Sequence, residues 1–503
     1  MASASSTLSY RAARLGETFR DRWEAYRFPP RARRAGAIAA LAAFGMVWGA
    51  AVAVAGMPAF LICVSLLACV FCLRDFRAGV ALLVLLMPVA QSDVFPRSMF
   101  GITGLNPLNL LMATTLVAFV MRRAGEKKAR KLFPWQLGLL YIVPFTMGAA
   151  MGMQHVDQIP ASFRELDLIQ FTNAFGYVRD LWAKPMLFIV YALLIGAAVA
   201  RSEKPDRFLT PMIVSVFMMA LLAVVYIALS GATLTELSGT YARSFLSALG
   251  MHANDLGRLY ATAYALLLFI WDRTPMSRWT LKTVCLLAMG AVVLSLLLTF
   301  SRGAFLGFII VNVIYLFARR RLKTLLLGGL VGAVGLALMP GAVWYRLTMG
   351  LASGDLNMIT AGRTGDIWTP LIPELADHPV LGNGLGSVMY SRAMIDGRLW
   401  EISHPHNAYL EAYMNMGAVG LVLLLAFWFW MWKRFRKESR NAENPPEMRG
   451  LFEGAAAGLA AFLIAGFAGS SLQPDATQAF IWLAFGVLLG IAARRQPLGK
   501  KGK

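Results

Sequence analysis

Charge is what this chain has least of. Only 15% of its 503 residues are Asp, Glu, Lys or Arg, where soluble domains carry about 25%. The longest apolar runs hold almost none of them. Roughly 20 such residues cross a bilayer core, so the deficit excludes a soluble globular enzyme and points to a polytopic α-helical membrane protein. Cysteine is scarce as well. Cys63, Cys69, Cys72 and Cys285 all sit inside apolar runs, which excludes a disulfide framework and reads as small buried apolar side chains. A cleavable leader is also missing from the pattern: residues 1–35 are polar and Arg-rich, whereas such a leader needs a continuous apolar stretch near its start. The first span is therefore expected to anchor the chain and to be retained.

What is present is hydropathy, 58% hydrophobic residues, and a net charge of +21. Hydropathy predicts an all-α fold of about 12–14 transmembrane helices between residues 36 and 493. The expected organisation is a basic cytoplasmic segment at 1–35, helices with short loops over 36–345, a large outward loop at 346–406, further helices over 407–493, and a basic tail at 494–503. The basic residues cluster in alternate connections, among them 122–131, 201–207, 319–323 and 433–449. That pattern obeys the positive-inside rule with both termini cytoplasmic. The positive charge is thus an orientation signal, and no nucleic-acid partner is implied.

The polar equipment consequently faces outward, where no ATP is available. This weighs against a nucleotide loop at Leu381–Ser387, "LGNGLGS", which also has neither the Lys of a phosphate-binding loop nor a preceding strand. Its glycines are expected to permit tight turns or close approach to a ligand. Arg302, in "LTFSRGAFLG", sits at a hairpin between two apolar runs and is either a snorkelling charge or an anion contact; a guanidinium fork suits phosphate. Arg363, in "TAGRTGDIW", is a solvated loop charge or a second such contact. Arg179 either pairs with Asp180 or Asp167 or reaches a phosphate just outside a span beginning near Trp182. Arg243 opens a polar segment that contains His252, a residue that reads equally as structural or functional.

Two of the five histidines, His404 and His406, stand in "SHPHNAYLE" just before the apolar run from 407. Spaced two apart, they cannot share a helix face, and with Glu411 or His378 as a further donor they match no metal motif. Two readings stay open. One is a capping turn, with Pro405 before the helix and Asn407 as its cap. The other is an imidazole general base at the membrane surface, kept neutral by the helix N-terminus.

Taken in order, "ALGMHANDLGR", "LTFSRGAFLG", "GRTGDIW", "ELADHPVLGNGLGS" and "SHPHNAYLEAYMNMGAVGL" resemble the signature of the O-antigen ligase/polymerase superfamily, over roughly residues 165–430. The resemblance implies a helical fold similar to GT-C glycosyltransferases, set in the bacterial inner membrane with its active site facing the periplasm. It implies an undecaprenyl-diphosphate-linked glycan as donor, the lipid bilayer as surroundings, and no nucleotide, metal or other cofactor. Its histidine matches His406, beside Asn407, with His404 as the second candidate. The Arg302, Arg179, Arg363 and Arg243 positions would contact the diphosphate, with Asn407, Glu411 and His252 in support. "MHAND" carries His-Ala where many members carry Asn-Pro. The expected reaction joins O-antigen or exopolysaccharide repeat units, because "FPRSMFGITGLNPLNLL" is similar to polymerases. The alternatives are a ligase with a lipid A-core acceptor, a protein O-oligosaccharyltransferase, and, in another class, a polysaccharide flippase. A flippase would carry its charges near the midplane, whereas this chain concentrates them at one face.

Overall fold

The computed structural model describes residues 30–89, 98–99, 102–103, 106–124, 130–231, 246–320, 341–348, 354–469 and 471–496, with a few single positions besides. The chain divides into two units, 1–67 and 68–503. In the first, helix α1 (Pro30–Ala55) is followed after Gly56 by the opening turns of α2 (Met57–Arg74), and Trp48 stacks on Phe60 with ring centroids 5.8 Å apart.

Among the described residues, the regular structure of the second unit is helical apart from a two-residue antiparallel ladder pairing Ser98–Met99 with Ile102–Thr103. It runs through α3 (Phe76–Leu86), α4 (Pro107–Ala124), α5 (Leu137–Gln158), α6 (Ala174–Ala200), α7 (Pro205–Ser230), α8 (Ala253–Arg273), α9 (Met276–Leu298), α10 (Arg302–Arg319), α11 (Ala408–Arg440), α12 (Pro446–Ala468) and α13 (Ala476–Arg495). Eight of these, α5, α6, α7 and α9–α13, are long and apolar enough to cross a membrane, as expected for a polytopic all-α protein. Helix α8 matches the expected span 256–271 but carries Asp255, Arg258, Asp272 and Arg273. Its residues from Leu256 to Ile270 are all buried, so Arg258 is shielded inside the bundle, while Asp255, Asp272 and Arg273 sit half-buried at the two ends. The expected span at 324–345 falls largely outside the described residues.

Helix α13 lies at the centre, with 94% of its apolar window buried, and packs on α6. Helix α12 packs on α8 through small residues. A Cβ at Gly454 would lie 2.6 Å from the Ala265 carbonyl oxygen, and one at Gly458 would lie 3.2 Å from Thr262 Cγ2. The two backbones therefore touch, which is how helices gain packing energy where lipid tails remove the hydrophobic drive. Helices α9 and α10 are buried over only 33% and 22% of theirs. Leu286, Leu287, Ile309, Val313 and Phe317 stay exposed on them, an apolar band suited to acyl chains.

Two expectations change. Helix α6 begins eight residues before Trp182, because Asn173 Oδ1 accepts from the Gly176 N–H at 2.9 Å and caps it there; Arg179 lies within the helix, not ahead of it. The glycines of "LGNGLGS" serve the protein's own backbone. Helix α11 breaks at Gly417 (φ 64°, ψ −171°), and the loop fills the break: Asn383 and Gly384 N–H donate to the Met414 and Asn415 carbonyls at 2.8 and 3.0 Å. The freed Ala418 and Val419 N–H groups donate in turn to Pro379 and Val380. A broken helix survives at membrane depth only when such groups find partners. The 346–406 connection is therefore folded onto the helices, with short turns such as Leu356–Ile359 and Arg392–Ile395.

Candidate active site

Three helix starts, the end of α12 and one long connection converge at one end of the bundle. At the start of α8, His252 Nδ1 accepts from the Asn254 N–H at 3.2 Å, so the imidazole caps the helix. One turn on, Asp255 pairs with Arg258, whose side chain is only 4% exposed. Three residues separate them, the spacing that stacks side chains on one helix face.

The α9–α10 hairpin supplies the next wall. Ser301 Oγ accepts from the Ala304 N–H and caps α10. Arg302, its first residue, donates to the Ile359 carbonyl at 2.7 Å and the Met358 carbonyl at 3.3 Å, tying the outward loop to the hairpin. Arg363 donates to the Ala468 carbonyl at 3.1 Å, at the end of α12. Arg258, Ser301, Arg302, Thr360, Arg363 and Ala468 border a cleft of about 80 Å³, room for a few waters at about 30 Å³ each.

The histidine loop is held from both sides. Trp368 Nε1–H donates to the Pro405 carbonyl at 2.9 Å, and Asn407 Oδ1 accepts from the Tyr409 and Leu410 N–H groups, both at 3.1 Å. Asn407 thus does cap α11, and the capping reading and the histidine site coexist. The two imidazoles meet edge to face with centroids 4.2 Å apart, and the His406 N–H donates to His404 Nδ1 at 3.3 Å. His406 is in the left-handed region at φ 53°, as are Phe300 at 48° and Ala361 at 59°, both beside the cleft. Three such non-glycine residues around one site cost on the order of 1–2 kcal/mol each.

Electrostatics couple these groups. Burial pushes His404 down from 6.5 to about 4, helped by Arg258 and Arg363 and opposed by Asp255. Burial pushes His406 lower still, with His404 and Arg363 adding to it, and it lowers His252 too. Both loop imidazoles are therefore neutral at physiological pH. From the α12–α13 connection, Asp475 is raised by burial from 3.8 to about 6, against the pull of Arg258. Glu411 buries an Oε2 that makes no hydrogen bond among the described residues.

The fold thus gathers His404, His406, His252, Arg302 and Arg363. It does not gather Arg179, which forks onto Asp180 at 2.8 Å and 2.9 Å while Lys184 holds the same carboxylate. Arg243 lies outside the described residues. Tyr409 donates to the Leu463 carbonyl and Trp400 is 78% exposed, so Tyr409 and Trp368 are spent on structure. Sequence reasoning passed over Arg258, Asp255 and Asp475. An acid and a base three apart at the mouth of an apolar run was the available signal for the first two; none existed for Asp475. Among the described residues, no three of His, Cys, Asp or Glu are placed to hold a metal ion.

Residues 284–425 match the model of a family described as O-Antigen ligase. That stretch contains the hairpin arginine, the outward loop, both loop histidines and the break in α11. No curated protein matches the chain.

Proposed function

From the match of residues 284–425 to a family described as O-Antigen ligase, we propose that the chain transfers a glycan from undecaprenyl diphosphate to an acceptor hydroxyl at the periplasmic face of the inner membrane, as a repeat-unit polymerase. The observation that carries this reading is the neutral His404–His406 pair within electrostatic reach of Arg258 and Arg363. It is the pairing of a base with cations that transfer from a diphosphate requires.

The acceptor oxygen attacks sugar C1 as the C1–O bond to the diphosphate breaks. The hydroxyl proton passes to His406, and the electron pair leaves with undecaprenyl diphosphate. A positioned imidazole contributes typically about 10²–10⁴-fold. Arg302, Arg363 and Arg258 stabilise the charge growing on the leaving group where water is scarce; Arg179, ion-paired to Asp180, has the weakest claim to that role. The half-buried His406 is a poor base on its own, because desolvation, His404 and the nearby arginine oppose its proton. A bound diphosphate would offset those arginines and raise its proton affinity, so the base would be competent chiefly when donor is loaded. No metal is needed in this scheme. The cleft of about 80 Å³ fits phosphoryl groups alone, leaving lipid and glycan to lie along the surface.

The test is the glycan made by a deletion strain complemented with His406→Ala, judged against protein level in the membrane. Loss of polymer, with single repeat units remaining, supports the reading. Normal chain lengths would remove His406 from the chemistry. Accumulated lipid-linked polymer with bare lipid A-core would instead make the acceptor lipid A-core.

A further inference from the structure

Helices α8 and α10, which open on the small cleft, and α11, which opens beside the histidine loop, close at their other ends on a second polar site. From Arg258 to Arg273, α8 runs roughly 22 Å at 1.5 Å per residue. Beside Arg273 the last turns of α10 and α11 and the flank of α12 enclose a cavity of about 440 Å³. Five arginines line it, Arg273, Arg319, Arg320, Arg436 and Arg440, with Glu453 as the one acid among its walls.

The charges do not cancel. Glu453 accepts from Arg273 at 2.8 Å and from Arg319 at 3.0 Å, and Arg319 also holds Asp272. Among the described residues, Arg320, Arg436 and Arg440 form no ion pair, and Arg436 rests on the Trp432 ring at 5.7 Å. Two carboxylates thus face five guanidinium groups, and the three in excess are those at the rim. Guanidinium groups that fork onto oxyanions in a half-enclosed cavity are the chemistry of phosphate recognition.

A second observation identifies what carries the phosphate. Phe317 and Ile314 belong to the cavity wall. Phe317 continues along α10 into Val313 and Ile309, each four residues apart and exposed at 70%, 43% and 53%. This is one apolar stripe, running from the cavity towards the membrane centre. A free phosphate would have no use for it, whereas an acyl chain would lie on it.

We propose that this cavity binds the phosphate headgroup of an anionic phospholipid, with its chains along Ile309, Val313 and Phe317. The positive-inside pattern assigns this end to the cytoplasmic leaflet, whose lipids attract basic clusters at about 1 kcal/mol per charge. A lipid seated here would clamp the far ends of α8, α10, α11 and α12 without touching the glycan chemistry.

The experiment uses the full chain purified and reconstituted in phosphatidylcholine nanodiscs doped with phosphatidylglycerol, with retained lipid read by native mass spectrometry. Wild type should keep phosphatidylglycerol in preference to phosphatidylcholine. Arg436→Gln/Arg440→Gln should lose about tenfold or more of that preference, and Arg436→Lys/Arg440→Lys should keep part of it. Neither arginine is in an ion pair, so these variants should fold; an unchanged melting temperature without phosphatidylglycerol checks this. Phe317→Ser should weaken lipid retention and leave protection by inorganic phosphate intact. Equal retention by wild type and the double glutamine variant would overturn the proposal. Protection by inorganic phosphate without any lipid preference would overturn the lipid assignment and leave a soluble phosphate ester as the ligand. The readout involves no glycan, so it stands or falls separately from the transferase reading.

Discussion

Arg258 is the residue on which the cleft depends most. It is a nearly buried cation between Asp255, on its own helix, and Asp475, in the α12–α13 connection far along the chain. Removing one member of such a group leaves uncompensated buried charge, at about 3–5 kcal/mol. Arg258→Met should therefore lower thermal stability in detergent steeply, and Arg258→Lys should restore much of it; an unchanged melting temperature would show that the carboxylates are not held by this charge. The histidine loop makes a prediction of opposite origin. His404 falls from 6.5 to about 4 on burial, so the unfolded chain binds its proton first. Its contribution is fully present above pH 6.5 and is lost as pH falls towards 4. Asp475 rises from 3.8 to about 6 and works in the other sense, costing stability as pH rises through that window. The two partly cancel in the wild type. His404→Gln should expose the Asp475 term: between pH 6.5 and 4 the variant should lose less stability than wild type, or gain some. Identical pH profiles for the two proteins would refute it. His404 and Arg302 stood out in the sequence because a rare polar residue beside an apolar run is conspicuous. Asp475 did not, because only folding brings it near Arg258.

Helix contacts depend on what is missing from the surface. Gly454 on α12 lets the Ala265 carbonyl come close enough that a Cβ would sit 2.6 Å from it. Gly454→Val should push α8 and α12 apart and cost about 1–3 kcal/mol. Gly290, within α9, has nothing within 4 Å of its Cβ position, so Gly290→Ala should be neutral or stabilising by up to about 1 kcal/mol. Comparing the two melting temperatures in one detergent separates close packing from helix propensity; equal losses would argue against the backbone contact. The existence of both helices was legible from hydropathy. Their contact was not, since a glycine in an apolar run has the same hydropathy whether it faces lipid or a neighbouring carbonyl.

Across the whole molecule, the arrangement is polarised. One end of α8 and α10 borders the small cleft, with the histidine loop at the start of α11, and the other ends of all three carry the arginine cavity. The loop around residues 379–384 is sealed to the bundle through the break in α11. Sidedness can be measured directly, because the four native cysteines lie in helices. Arg398→Cys, on the loop, where Arg398 is half exposed, should react with a membrane-impermeant maleimide from the periplasm. Glu443→Cys, between α11 and α12, should react only after the inner membrane is opened. The reverse pattern would invert the topology and move the proposed chemistry to the cytoplasm.

Hydropathy and charge placement are properties of contiguous segments. They alone were enough to predict an all-helical membrane protein and most of the helices long and apolar enough to cross a membrane. The motif order carried the resemblance to the family whose model residues 284–425 match, and the proline and asparagine of the histidine loop carried the start of α11. What tertiary structure decided was which charges meet and which glycines are spent. Arg258 faces Asp475, Arg179 is withdrawn by Asp180, and the glycines of "LGNGLGS" serve a broken helix. The physical reason is that each outcome depends on a partner distant in sequence. Burial and electrostatic coupling belong to the pair and its surroundings, and neither residue carries them alone.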